Sequence, residues 1–107
     1  MENRIFLGNA FSLQMLNLQK KIQILVTPVS SNEVADADFE SVVGHQDTAA
    51  VLTDMLRRPV ACNRTSVRLQ AGDVLFVAQV TGGRLPEETT RLPEGFSLTF
   101  LRVELAE

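Results

Sequence analysis

The sequence predicts a single small α/β domain, residues 1–107, with a mixed, mostly parallel β-sheet flanked by short helices. Three observations lead there. Short apolar strands alternate with helical patterns in the first half of the chain. Residues 74–80 are apolar on both alternating faces except at Gln79, as in a central strand covered on two sides. The 107 residues carry 45% hydrophobic and 21% charged side chains, an ordinary globular balance rather than that of a disordered or fibrous chain.

Each element has its own signal. Residues 4–7 (Arg-Ile-Phe-Leu) read as a first strand ending at the turn-favouring pair Gly8-Asn9, and residues 10–18 then space Phe11, Leu13, Met15, Leu16 and Leu18 as a short helix would. Gln23 to Val29 is β-branched and apolar and stops near Pro28, which makes it a strand. Ser30 with Glu33 three positions later forms a capping box, so a helix starts there with Asp36, Asp38 and Glu40 on its wet face. Ala49, Leu52, Met55 and Leu56 recur at three- and four-residue steps, giving a helix from Gln46 to Leu56 with Gly44-His45 at its amino end. A strand at 66–69, a turn at 71–73, the central strand, a Gly-rich loop at 82–88 and a last strand at 97–105 complete the reading.

Composition excludes several classes of function. The longest apolar runs fall far short of the roughly 20 residues of a membrane helix, and the start Met-Glu-Asn-Arg has no signal-peptide pattern, so a cytoplasmic protein is expected. One cysteine, Cys62, cannot close an intrachain disulfide, and one histidine leaves no structural zinc cluster within a subunit, so neither a metal nor another cofactor is expected. A net charge of −3 argues against coating duplex DNA or long RNA, which takes many Lys and Arg contacts to phosphate. The charge is uneven, however: residues 57–91 hold six arginines against three acids. Arginine presents a planar fork suited to phosphate oxygens, so a small anionic ligand fits this segment where a polyanion does not. With no Trp or Tyr and six Phe, the chain has little with which to build an open stacking platform for single strands.

Few residues can carry chemistry, and each also has a bland reading. His45 begins a helix, where free backbone N–H groups and the positive end of the dipole favour an anion. The same dipole disfavours an imidazolium, so an acid role at neutral pH needs a carboxylate partner such as Glu87. Otherwise His45 is a capping or surface residue. Asn9, Ser12 and Gln14 flank a strand-to-helix turn, where ligands approach α/β sheets, although Asn9 also suits the turn itself and Ser12 could cap the next helix. Gln79 either pairs internally or faces a pocket, because a buried amide without partners costs a few kcal/mol. Arg84 and Glu87 lie in a loop mounted on the central strand, a common place for binding groups and equally for a solvated ion pair.

Gly8-Asn9-Ala10-Phe11-Ser12-Leu13-Gln14-Met15-Leu16, Gly44-His45-Gln46-Asp47-Thr48-Ala49, Asn63-Arg64, Gly72-Asp73-Val74, Ala78-Gln79 and Arg84-Leu85-Pro86-Glu87 follow one another in that order. Across nearly the whole chain this series resembles the viral type III anti-CRISPR ring nuclease family, which includes proteins of archaeal viruses and phages and related enzymes encoded beside type III CRISPR systems. The resemblance implies a homodimer that binds cyclic tetra-adenylate, the messenger of activated type III complexes, and cuts it to switch the defence off. It places the catalytic pair at His45 and Glu87 and the substrate contacts at Asn9, Ser12, Gln14, Arg64, Gln79 and Arg84. Gln14 departs from the family's pattern, where asparagine is usual, and its longer side chain leaves that contact open. The alternatives are a protein that sequesters the ring nucleotide without hydrolysing it, and a scaffold of the same fold that binds DNA or another protein.

Overall fold

The computed structural model describes residues 3–106. Met1, Glu2 and Glu107, which the domain 1–107 and the reading of the Met-Glu-Asn-Arg start include, lie outside the described residues. The elements are β1 (Ile5–Gly8), β2 (Gln23–Val29), α1 (Ser31–Asp36), β3 (Glu40–Ser41), α2 (Gln46–Leu56), β4 (Val74–Thr81) and β5 (Ser97–Ala106), with one 3-10 turn at Leu13–Met15. They form an α/β domain whose five-stranded sheet runs β2-β5-β4-β1-β3. The sheet is mixed: β1 lies parallel to β3 and β4, whereas β5 lies antiparallel to β4 and β2. The two antiparallel ladders are the longer ones, so the parallel share is smaller than the alternating first half of the sequence suggests.

β4 occupies the middle of the sheet, as its two-sided apolar pattern predicts. Its alternate residues feed two cores. Phe76 and Ala78 join Leu7 and Phe100 under Val34 of α1 and Ala49, Leu52 and Leu56 of α2. Leu75 and Val77 join Phe6 and Val103 on the other face, where Leu69 and the partly buried Phe11, Met15 and Val67 cover them.

The predicted helix at 10–18 is reduced to the single 3-10 turn. The Ser12 side chain makes no capping bond, and Leu13 and Leu18 remain 64% and 61% exposed, so their spacing produces no stripe against the sheet. The predicted strand at 66–69 joins no ladder of the five-stranded sheet. Its Leu69 N–H donates instead to the Met15 carbonyl at 2.7 Å, while Val67 and Leu69 still face the second core. The helix beginning after Ser30 is present, with the Ser30 hydroxyl accepting from Glu33 N–H at 3.2 Å. It stops at Asp36, and the following chain forms β3. Asp36, Asp38 and Glu40 are exposed all the same.

The start of β1 is tied to the turn before β4. Arg4 Nη2 meets Asp73 Oδ2 at 2.7 Å, and the carboxylate also accepts the backbone N–H groups of Arg4 and Gln70. Burial pushes the Asp73 carboxyl up, but the Arg4 side-chain bond, the two backbone donors and the guanidinium charge together outweigh it and hold it below its usual value.

Candidate functional site

Because β1 and β4 run parallel, their carboxyl ends open on the same edge of the sheet, the usual ligand side of an α/β fold. Asn9 follows β1 and Gln79 lies near the end of β4. The chain reaches the same edge a third time through 42–45, where Val43 bridges Cys62 and α2 then begins. A shallow pocket of about 320 Å³ lies between these segments, and Asn9, His45, Gln79 and Arg84 all line it. Thr48, whose exposure is only 7%, adds a hydroxyl from the first turn of α2. Gln79 is exposed and lines the pocket.

His45 is the N-cap of α2, in extended backbone, and its side chain makes no capping bond. Its Nδ1 is buried and has no hydrogen-bond partner among the described residues. The residue before it is gripped from both sides. Asn9 Oδ1 accepts the Gly44 N–H at 3.1 Å, and Arg64 donates to the Gly44 carbonyl through Nε at 3.1 Å and Nη2 at 2.9 Å. Arg64 is not among the residues lining the pocket, and its fork is engaged by the backbone that carries the imidazole. Asn63 reinforces the arrangement by donating its own N–H to the Val43 carbonyl and its side-chain amide to that of Ser41.

The remaining predicted residues lie apart from this pocket. Ser12 and Gln14 line a neighbouring groove of about 770 Å³ between the 3-10 turn and residues 65–68. Glu87 is exposed on the 82–88 loop and forms no ion pair with His45 among the described residues. The loop is nevertheless docked onto the histidine's helix, since Asp47 Oδ1 accepts the Glu88 N–H at 3.2 Å. Sequence reasoning missed the roles of Asp47 and Thr48. Both stand beside His45 in the quoted motif, but an acid and a hydroxyl in a first helical turn read as ordinary helix-start chemistry.

Among the described residues no group of three His, Cys, Asp or Glu side chains is placed to hold a metal ion, and no helix is long and apolar enough to cross a membrane. Comparison with curated proteins finds no match. Among solved structures, the chain is similar to B116 of Sulfolobus turreted icosahedral virus, with 21% identity over 95% of this chain and 99% of that one, at a TM-score of 0.78. At that identity the likeness is one of fold. A family model described as STIV B116-like matches residues 5–99, a span that contains every pocket residue named above, and the chain belongs to the STIV B116-like family.

Proposed function

We propose that this member of the family is a metal-independent ring nuclease, a homodimer that binds cyclic tetra-adenylate in the cytoplasm and cuts it into linear di-adenylates ending in 2′,3′-cyclic phosphate, switching off type III CRISPR signalling. The observation that carries the reading is an imidazole with an unpartnered ring nitrogen, sharing one pocket with a guanidinium and two amide side chains. RNA brings its own nucleophile, so such a site needs no activated water. The ribose 2′-oxygen bonds to phosphorus and gives up its proton to solvent, while the bond from phosphorus to the 5′-oxygen breaks. His45 supplies the proton that the departing 5′-oxygen takes, and Arg84 offsets the added charge on the phosphorane. Asn9 and Gln79 offer amides to ribose or base. A two-fold dimer would present two such pockets to a ligand that is itself two-fold symmetric.

The position of Glu87 supports a second reading. A carboxylate that does not meet the histidine in the free protein suits a binder that sequesters the ring intact. Incubation of the protein with cyclic tetra-adenylate in excess EDTA separates the two. Linear di-adenylate at more than one equivalent per dimer supports the nuclease, stoichiometric protection supports the binder, and failure to bind the ring overturns both. His45→Ala should keep binding and lose cleavage by about 10²–10⁴-fold, the usual worth of a general acid.

A further inference from the structure

We propose that Asp47 is a positioning residue for the reaction, docking the 82–88 loop on α2 so that Glu87 is carried to His45; this rests on the nuclease reading above. The loop leaves β4 through Gly82 and Gly83, both at positive φ, a conformation that glycine adopts readily. The loop is fixed at its far end. Glu88 adopts φ +63°, and among the described residues only Arg57, at the end of α2, is another non-glycine residue with positive φ. A left-handed glutamate is strained unless its surroundings hold it. The hold is Asp47, two positions after His45 in the first turn of α2, which receives the Glu88 N–H across 41 positions of sequence. The same backbone turn carries Glu87. Leu85 supplies a second anchor, since it is almost fully buried while its loop neighbours Arg84, Pro86 and Glu87 are exposed. With residue 85 and residue 88 both held, Glu87 has only its side-chain rotations and small backbone shifts left to search when a ring nucleotide enters. Asp47 thus acts on the chemistry through Glu87, and it touches no reacting atom itself.

The test compares Asp47→Ala with Asp47→Asn. The alanine removes the acceptor, whereas the asparagine keeps a carbonyl oxygen in the same place and removes only the charge. Asp47→Ala should lower kcat for cyclic tetra-adenylate by about 10–100-fold with KM within about threefold, as expected for misplacing a group used in the transition state. Asp47→Asn should stay within about threefold of wild type. In a Glu87→Gln background, Asp47→Ala should cost less than about twofold more, because both changes disable the same group. Wild-type kcat in Asp47→Ala, an asparagine variant as impaired as the alanine, or full additivity with Glu87→Gln would each overturn the proposal. Exchange of the Glu88 amide, measured without nucleotide, should be several-fold faster in Asp47→Ala than in wild type or Asp47→Asn. Equal exchange in all three overturns the docking contact whatever the activity, and a wild-type protein that binds the ring without cutting it overturns the nuclease reading instead.

Discussion

The side chain of Asn9 accepts the backbone N–H of Gly44, so the residue that follows the first strand holds the residue that precedes His45. A ligand contact at Asn9 and the placing of the imidazole are therefore not independent. Asn9→Ala should cost about 1 kcal/mol of stability, the net value of one such bond, and should also lower kcat/KM for cyclic tetra-adenylate at least tenfold. Asn9→Asp keeps the acceptor and should recover most of the stability, which urea titration of the three proteins checks.

Arg64 holds the same residue by its carbonyl, through two nitrogens on one oxygen. Lysine offers a point charge on a flexible stem and cannot reproduce that fork. Arg64→Lys should therefore retain nucleotide affinity within about threefold while reducing turnover, and Arg64→Ala should reduce both. Binding by calorimetry with an uncleaved ring, set beside turnover, reads the difference.

The Asp73 carboxyl is held below its usual value, and this gives acid sensitivity a definite sign. A depressed folded-state value contributes stability above the unfolded value, near pH 4 for aspartate, and that contribution is lost as pH falls through the folded value. Asp73→Asn should destabilise the protein by about 1–3 kcal/mol at neutral pH, because the Arg4 pair and two backbone donors lose a charged acceptor. The gap to wild type should shrink below roughly pH 4. Urea melts at pH 7 and across the acid range measure it.

Gly82 has φ +112°, and a Cβ there would stand 2.7 Å from the Gly95 carbonyl oxygen and 2.9 Å from Phe96 Cα. Both obstacles are backbone and neither can rotate away. Gly82→Ala should cost about 1–3 kcal/mol and lower the thermal midpoint, whereas the same change at Gly83 meets no atom within 4 Å and carries only the backbone strain.

The sequence was most legible where local chemistry and packing agree. The α2 helix runs from Gln46 to Leu56 as its apolar stripe predicts, with Thr48, Ala49, Val51, Leu52 and Leu56 buried, and Ser30 caps α1 as its spacing to Glu33 predicts. It misled where a segment's pattern does not say what the segment pairs with. Val67 and Leu69 alternate like a strand and do face the core, but they cover one face of the sheet and join no ladder. β3, only two residues long, is too short to carry any periodic signal. Asn9, His45, Gln79 and Arg84 were each identifiable by type, but their convergence follows from the parallel pairing of β1 with β4, which no local pattern encodes.

That pairing also sets when the site can exist. β1 sits inside the sheet, yet its partner Val74 lies 69 positions beyond Ile5, and at roughly 5–20 residues per second a ribosome takes on the order of 3–14 s to deliver it. Until then Phe6 and Leu7 have no central strand to pack beside. A truncated or stalled chain therefore lacks the site: the pocket is assembled from the beginning, middle and late parts of the message, and it is complete only when translation has passed the 82–88 loop.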